Sequence, residues 1–414
     1  MPASRLPVDG AARRVGVTAD EVRRHNLATV LHRLHRAGPL SRSRLASLTG
    51  LSRSTIADLV AELSSLGLVE EGPGLAPSGP GRPSPMVYAR PEGAVVLAIE
   101  LAVDSLSVAT VGLGGHVFDR RRVARPREQA SPAEAVRDVG DLGHPLLDAL
   151  PPDHRLVGIG VGVVGIARRS DGLVHLAPNL GWRDVPIGKM VTAEFGAEQP
   201  VMVANEADLG ALAELRRGAR PGVHHLIYIA GEVGIGAGVI VDGEPLLGAA
   251  GYAGEAGHTL VNPTGWPCRC GATGCWETEA GEAALLRHAG LGDTATGLAA
   301  LDALSERAAA GDSAVLDAMA EVGRWLGLGI GNLVNLFNPE VVVLGGLYHR
   351  FYLYLASAVL QGARSQALAA PWSRVVIMPS VLGADATLLG AAELALTPTI
   401  ADPTGAGRAP AFRT

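Results

Sequence analysis

Apolar residues recur at helical spacing in three consecutive segments near the start of the chain. The apolar positions of the three predicted helices are Val22, Leu27, Val30, Leu31 and Leu34 in the first, Leu45 and Leu48 in the second, and Ile56, Leu59, Val60, Leu63 and Leu66 in the third. Gly38 and Pro39 end the first helix, and Ser41 and Ser52 precede the other two as N-caps. Two short helices joined by a turn at 49–51 are typical of a helix-turn-helix, and residues 68–70 would begin a wing strand.

The third predicted helix carries polar side chains near its N-terminus, where helices that read DNA present side chains to base edges. The residues predicted to contact DNA are Arg42, Ser52, Arg53, Ser54, Thr55, Asp58 and Arg82. Arg82 lies in the run from Gly72 to Pro85, whose many glycines and prolines predict a wing tip or a linker. There it either enters a minor groove or belongs to a plain tether. For the three helices together, a small structural bundle is the alternative to DNA binding.

From Val95 onward the pattern changes to short apolar strands separated by glycines and amphipathic helices, which is typical of an α/β fold. The predicted strands are 95–100, 106–111, 156–164, 201–204, 226–230, 236–241 and 341–345. They fall into two groups, which predicts two lobes with a ligand-binding cleft between them. The predicted divisions are a flexible tail over 1–18, a winged helix-turn-helix over 19–75, a wing or linker over 76–93, a small lobe over 94–204 completed by a helix near 384–396, a large lobe with the metal site and oligomer interface over 205–383, and a flexible tail over 397–414.

Charge is distributed unevenly along the chain. Residues 1–90 hold 12 Lys and Arg against 7 Asp and Glu, a balance of +5, whereas residues 91–414 hold 23 against 34, a balance of −11. A basic N-terminal part favours a phosphate backbone as partner, although a solvated basic surface is the alternative. The N-terminus does not resemble a signal peptide, and the most apolar stretch, 95–115, is interrupted by Glu100 and Asp104. We therefore expect a cytoplasmic protein with no membrane partner.

The three cysteines of the chain lie within eight residues of one another, at Cys268, Cys270 and Cys275, and His258 precedes them by ten residues. Three thiolates and one imidazole match the tetrahedral ligand set of Zn²⁺, and four protein ligands predict a structural site with no position open for a reacting water. Buried reduced cysteines are the alternative. A redox role is disfavoured because no Cys-x-x-Cys pair is present.

The cysteine motif, read as Cys-x-Cys-Gly-x-x-Gly-Cys-x-Glu over 268–277 and preceded by Gly-Glu-x-Gly-His over 254–258, resembles that of the ROK family of repressors, open reading frames and sugar kinases. The resemblance extends over residues 20 to about 395. It includes, in the family order, Pro178-Asn179-Leu180, Asn205-Glu206-Ala207, the glycine-rich stretch 231–238 and the segment 338–346. The helix-turn-helix is typical of the regulator branch of this family.

The resemblance implies a two-lobed, actin-like (ribonuclease H-like) sugar-binding domain behind the winged helix-turn-helix. The residues that it implies for binding a sugar or amino sugar are Asn179, Asn205, Glu206, Glu255, His258 and Glu277. Carboxylates and amides suit this role because they bond adjacent hydroxyls. Structural zinc on His258, Cys268, Cys270 and Cys275 would brace the pocket. The family analogy also implies a homodimer or tetramer whose heads bind an inverted-repeat operator.

Three departures from the kinase pattern favour a sugar-responsive, non-catalytic regulator over a sugar kinase.

 The family's catalytic Asp is replaced by Glu206, whose extra methylene displaces the carboxylate from the hydroxyl that it would deprotonate. The usual Asp-x-Gly-x-Thr of the first strand is Glu100-Leu-Ala-Val-Asp104, without the glycine that lets backbone amides approach phosphate. Glu232 places an anion where nucleotide phosphates would lie. We therefore predict no catalytic residue, with Glu206 at a degenerate base position; a kinase and a sugar-blind architectural DNA-binding protein are the alternatives.

Overall fold

The computed structural model describes residues 18–73, 85–125, 131–218, 220–292 and 296–405. Arg82, which the sequence predicts to contact DNA, lies outside these residues. The described elements form an N-terminal head and two lobes, and each lobe is built on a five-stranded sheet. The predicted α/β fold class is confirmed. No helix within the described ranges is long and apolar enough to cross a membrane.

The head consists of helices and short strands between residues 18 and 89. Its elements are α1 (Ala19–Ala37), β1 (Leu40–Ser41), α2 (Arg42–Thr49), α3 (Arg53–Ser65), β2 (Val69–Gly72) and β3 (Met86–Ala89). The predicted N-caps Ser41 and Ser52 are confirmed, since each hydroxyl accepts a hydrogen bond from a backbone N–H of the following turn. Gly50 adopts the left-handed conformation (φ 73°) in the turn between α2 and α3. The three strands form an antiparallel sheet in the order β1-β3-β2.

Strand β3 lies inside the stretch 76–93 that the sequence predicts to be wing or linker alone. It pairs with β2 from Val69↔Ala89 to Gly72↔Met86, and Val87 is fully buried. Val87 belongs to the apolar core of the head and Ala89 packs against it, but the glycines and prolines that precede this strand hide it in the sequence pattern. The two strands therefore form the sides of a hairpin.

The small lobe is built on the sheet β11-β7-β4-β5-β6. Its elements are β4 (Val95–Leu101), β5 (Ser105–Gly112), β6 (His116–Ala124), α4 (Pro132–Asp148), β7 (Leu156–Val163), β8 (Ile166–Arg168), β9 (Leu173–Ala177), β10 (Trp182–Val185), α5 (Ile187–Phe195) and β11 (Val201–Asn205). Every residue of β4 and β5 is buried, whereas β6 is an edge strand with exposed arginines at Arg120, Arg121 and Arg122. Strands β8 to β10 form a separate small sheet in the order β10-β9-β8.

The large lobe is built on the sheet β14-β13-β12-β15-β16. Its elements are β12 (Leu226–Gly231), β13 (Ile235–Val241), β14 (Glu244–Pro245), α7 (Trp276–Ala280), α8 (Glu282–His288), α9 (Leu298–Ala309), α10 (Ser313–Phe337), β15 (Val341–Gly346), α11 (Leu347–Arg350), α12 (Tyr352–Gln366), α13 (Ala369–Trp372) and β16 (Val376–Pro379). The aromatic side chains of Trp276, Tyr348 and Phe351 are fully buried in its core. The long loop 246–275 between β14 and α7 carries the cysteines.

Two helices, α6 (Glu206–Arg217) and α14 (Ala386–Ala401), lie between the lobes. One side of α6 packs on the large-lobe strands β12 and β13, and the other side packs on α14, which covers the small-lobe sheet. The contacts are backbone to backbone: a Cβ at Gly238 of β13 would lie 2.2 Å from the carbonyl oxygen of Ala207, and one at Gly390 of α14 would lie 2.0 Å from that of Leu209. Helix α6 is thus held tightly by both lobes.

The sequence predicts a flexible tail from Thr397, but α14 continues to Ala401. Thr399 and Ile400 are buried, and Ile400 belongs to the same apolar cluster as Leu31 and Leu34 of the head. Burial against the head outweighs the Pro398 that disfavours a helix interior. This cluster also contains residues of α6, β4 and β5, so the head and the small lobe share one continuous core.

We expect Gly390→Ala to lower the free energy of unfolding by about 1–3 kcal/mol, because the added methyl group forces α6 and α14 apart. An alanine without this contact would instead stabilise a helix by about 1 kcal/mol. Chemical denaturation measures the change, with Ser357→Ala at an exposed position of α12 as the control. A Gly390→Ala variant as stable as the wild type would show that the two helices can separate without cost.

Candidate functional site

A cavity of about 370 Å³ lies between the two lobes. The six residues that the sequence analysis assigns to sugar binding all line it: Asn179, Asn205, Glu206, Glu255, His258 and Glu277. They come from the small-lobe loop after β9, from the junction of β11 with α6, and from the large-lobe loop with its following helix α7. The fold therefore brings together residues that are almost 100 positions apart in the chain.

Asn205 ends β11 and caps α6, so its side chain fixes the start of this helix. Its Oδ1 accepts a hydrogen bond from the backbone N–H of Ala207 at 2.7 Å, and its Nδ2 donates to the carbonyl oxygen of Gly165 at 2.9 Å. The cap places the next residue, Glu206, at the first position of the helix and in the wall of the cavity. Asn205 thus orients the acid beside it as well as lining the cavity.

Carboxylates dominate the polar lining of the cavity. Burial is the main cause that raises the pKa of Glu206 well above its usual value, and repulsion from Glu232 and Glu100 adds to it. The buried Oε2 of Glu206 has no hydrogen-bond partner among the described residues. Burial also raises the pKa of Asp208 to about 6, although Arg169 opposes the shift. A ligand hydroxyl that donates to Glu206 would satisfy this buried oxygen.

The side chains of His258, Cys268, Cys270 and Cys275 converge at one edge of the cavity, with all four donor atoms within 4.8 Å of one another. The sulfurs of Cys270 and Cys275 are 3.7 Å apart, and the sulfur of Cys268 is 3.7 Å from Nδ1 of His258. In a tetrahedral zinc site with bonds of about 2.3 Å, neighbouring sulfurs are separated by about 3.8 Å. Both the donor types and their spacing therefore fit a metal ion of this class.

The two ring nitrogens of His258 face different groups. Nδ1 faces the cysteines and lies 3.6 Å from Oε1 of Glu277, whereas Nε2 lies 3.9 Å from Oε2 of Glu255. The Sγ of Cys268 donates to the same Oε1 of Glu277 at 3.0 Å. Two acids of the cavity therefore lie next to the four candidate metal ligands, so the candidate metal site and the cavity share a wall.

Glycines shape the loop around these ligands. Gly274 adopts φ 72°, and a Cβ there would lie 1.6 Å from the carbonyl oxygen of Asn262, so only glycine fits. Gly234, in the turn between β12 and β13, allows Glu277 to approach so closely that a Cβ would lie 2.3 Å from Oε2. The glycine-rich stretch thus positions Glu277 by leaving room for it.

Several residues of the cavity wall are absent from the sequence-based assignment. These are Asp208, Trp266, Arg269 and Arg287. Arg169, which contacts Asp208, was also not assigned. Arg269, which lies between two cysteine ligands, donates a hydrogen bond across the cleft to Oδ1 of Asn179 at 3.0 Å. Its position inside the cysteine motif is a signal that places it near the site, but the contact with the other lobe depends on the fold.

A second cavity of about 240 Å³ adjoins the first, and Glu206 and Glu232 line both. Glu100, Arg122 and Arg350 are among its other lining residues. Burial raises the pKa of Glu100, although Arg122 opposes the shift. Its Oε2 is buried without a hydrogen-bond partner in the described part of the chain. The wall between the cavities is therefore acidic.

The residues predicted to contact DNA have different surroundings in the head. Arg53, Ser54 and Asp58 are exposed on α3. The hydroxyl of Ser52 caps this helix through the N–H of Thr55. The guanidinium of Arg42 forms a paired contact with the carboxylate of Glu71 on β2, which ties α2 to the hairpin. Of the two arginines in this set that the structure describes, Arg53 has the exposed side chain, whereas Arg42 is paired with Glu71.

Known proteins are similar to this chain over most of its length. The ROK family profile matches residues 96–398. The xylose repressor of Bacillus subtilis is 31% identical over 91% of this chain and 96% of its own length. A solved ROK family transcriptional regulator, a homolog of the Escherichia coli Mlc protein, superposes with a TM-score of 0.74 at 25% identity, covering 92% of this chain and 97% of its own. A ROK family glucokinase from Streptomyces griseus, solved with glucose and AMPPNP, gives a TM-score of 0.64 at 28% identity, covering 73% of this chain and 99% of its own.

We expect the double variant Cys268→Ser, Cys270→Ser to lose bound zinc, because two of the four soft donors become hydroxyls. Elemental analysis of the purified protein measures this, with about one zinc per chain expected for the wild type. Thr273→Ala is the control, since Thr273 is exposed in the same loop and all four donors remain. Equal zinc content in the double variant and the wild type would contradict the assignment.

Proposed function

Because the chain belongs to the ROK family, we propose that it is a sugar-responsive transcriptional repressor in which the lobes bind the effector and the head binds operator DNA. The observation that carries this proposal is the extent of the matches. The xylose repressor and the solved regulator cover 91% and 92% of the chain, including the head, whereas the glucokinase covers 73%. Repression of sugar uptake or metabolism genes in the cytoplasm follows from this similarity.

We infer that the effector is a neutral sugar or an amino sugar, bound by Asn179, Asn205, Glu206, Glu255, His258 and Glu277. The unpartnered oxygen of Glu206 and the other acids of the cavity suit ligand hydroxyls or an amine as donors. A phosphate group would face several carboxylates at short range, which is unfavourable in a partly buried site. The acidic lining therefore favours unphosphorylated effectors.

Structural zinc held by His258, Cys268, Cys270 and Cys275 is the proposed cofactor. When bound, it would supply a fixed link among these four side chains and no chemistry of its own. With Nδ1 directed to the cysteines, Nε2 of His258 is left facing the cavity near Glu255. The metal site would thus hold one wall of the sugar pocket in place.

A sugar kinase is the second candidate, favoured by the similarity to the glucokinase. The acidic wall of the second cavity opposes it. Glu100 and Glu232 line the space next to Glu206, and the repulsion among these acids contributes to the raised pKa of Glu206. Nucleotide phosphates would add negative charge to this wall. Glu206 also stands at the position of the family's catalytic Asp, so we propose that the chain has no enzymatic activity.

We propose that the head acts as a winged helix-turn-helix, with α3 as the reading helix and strands β2 and β3 as the sides of the wing. We propose that Arg53, Ser54, Thr55 and Asp58 face bases or phosphates and that Arg82 also contacts DNA. Ser52 and Arg42 would hold α3 and the wing in position as well as lying near the DNA. Two heads of a homodimer or tetramer would bind the halves of an inverted repeat.

The function is tested by measuring operator affinity with and without sugars. A duplex selected by the protein from a random library serves as operator, and D-xylose, D-glucose, D-glucosamine, N-acetyl-D-glucosamine and D-glucose 6-phosphate form the panel. We expect at least one unphosphorylated sugar to raise the melting temperature and change operator affinity, by about 5- to 150-fold for typical allosteric coupling. No turnover above background is expected with ATP. Phosphorylation at about 1 to 1000 per second would instead support the kinase.

We expect Arg53→Ala to weaken operator binding by at least about fivefold, since an arginine contact to a base contributes about 1–3 kcal/mol. Fluorescence anisotropy with the selected duplex measures the affinity. Arg374→Ala removes the same charge from an exposed position of the large lobe and serves as the matched control. Equal affinities of the Arg53 and Arg374 variants would remove Arg53 from the DNA-binding surface.

A further inference from the structure

The two ends of α6 lie in two different parts of the molecule. At its N-terminal end, Asn205, Glu206 and Asp208 line the larger cavity. At its C-terminal end, Arg216 and Arg217 contact residues at the boundary with the head. Twelve helical residues span about 18 Å. One rigid element therefore runs from the proposed sugar site to the base of the head.

A buried ionic network lies where α6, α14 and the head meet. Glu393 of α14 is 2% exposed, and its carboxylate accepts hydrogen bonds from Nε of Arg217 at 2.7 Å and from Arg216 at 3.0 Å. Nε2 of His35, a fully buried residue of α1, lies 2.9 Å from the same carboxylate. One acid thus joins the head to the ends of two helices of the lobes.

The protonation states of this network follow from its hydrogen bonds. Nδ1 of His35 accepts a hydrogen bond from the backbone N–H of Gly114 at 3.0 Å, which a neutral ring allows, while Nε2 contacts both the carboxylate of Glu393 and Nη2 of Arg217. Burial lowers the pKa of His35, although the negative charge of Glu393 opposes this shift. Burial alone would raise the pKa of Glu393, but its partners outweigh this and hold it far below its usual value. The carboxylate is therefore charged and balanced by the two arginines.

Two hydrogen bonds to backbone carbonyl oxygens also connect α1 with α6 beside this ionic network. The guanidinium of Arg217 donates to the carbonyl oxygen of His35 at 2.7 Å. Arg36 of α1 donates in turn to the carbonyl oxygen of Leu215 at 2.8 Å. Each helix end thus supplies a guanidinium to the backbone of the other, and rotation or displacement of α6 must either carry α1 with it or break several buried bonds.

The packing of α6 between the lobes makes it sensitive to the angle between them. Its backbone touches Gly238 of the large lobe and Gly390 of α14, so no loose layer of side chains can absorb a change in lobe angle at these points. A ligand that contacts both lobes favours one angle. We propose that α6, with the joint formed by Glu393, His35, Arg216 and Arg217, transmits occupancy of the sugar cavity to the head; this rests on the proposed function.

The decisive variant is Glu393→Gln, which keeps the side-chain volume but removes the charge that holds both arginines and His35. The ratio of operator dissociation constants with and without sugar is measured on the full chain, using D-xylose, D-glucose, D-glucosamine and N-acetyl-D-glucosamine at saturation. We expect the ratio to fall to within about twofold of 1 in the variant, against about 5- to 150-fold in the wild type. Sugar affinity of the variant stays close to the wild-type value, because the joint lies about 18 Å from the cavity.

Glu321→Gln is the matched control, since Glu321 pairs with Arg324 on the large lobe away from the joint. It is expected to keep the wild-type ratio. Arg36→Ala is a second test variant that removes one bond of the joint without leaving a buried charge, and we expect it to lower the ratio partially. If Glu393→Gln does not fold, the Arg36→Ala variant alone tests whether the joint transmits the effect of the sugar.

The outcomes separate this inference from the proposed function. A wild-type protein whose operator affinity ignores every sugar of the panel contradicts the proposed function itself. A wild-type ratio that persists in folded Glu393→Gln and in Arg36→Ala leaves the repressor function intact and overturns the role of the joint. A ratio near 1 in Glu393→Gln and a reduced ratio in Arg36→Ala, with the wild-type ratio kept in Glu321→Gln, supports it.

Discussion

The close contact of α6 with backbone on two sides is the constraint on which the rest of the structure depends. Gly238 from one lobe and Gly390 from α14 leave no space for a side chain at these contacts, so the backbone of α6 lies directly against both neighbours at these two points. That position sets Asn205 and Glu206 in the cavity wall and Arg217 against α1. The cavity wall and the base of the head are therefore both positioned by this one short helix.

Local sequence signals predicted the features that depend on nearby residues. Ser41 and Ser52 cap the helices of the head because capping needs only the following turn. The four metal donors converge because three of them lie in one loop, where spacing already limits the geometry. The six cavity residues were found through motif resemblance rather than periodicity, and the fold indeed brings them to one cavity.

Features that depend on contacts between distant segments were not predictable in this way. His35 and Glu393 are 358 positions apart, and nothing in the neighbourhood of either indicates a buried charge. Arg42 also pairs with Glu71 on β2, a contact that the sequence around Arg42 does not indicate. The end of α14 was misplaced because Pro398 disfavours a helix locally, whereas burial against the head sustains it. In each case a tertiary contact overrides the local preference.

The exposed edge strand β6 has a consequence for self-association. A sheet edge offers unpaired backbone groups to any other strand, and two copies of this chain would share the same edge. Antiparallel pairing of β6 with itself would bring the run Arg120 to Arg122 of one copy against that of the other, and like charges facing each other across strands are unfavourable. The arginines thus disfavour extension of this sheet by a second copy of the chain.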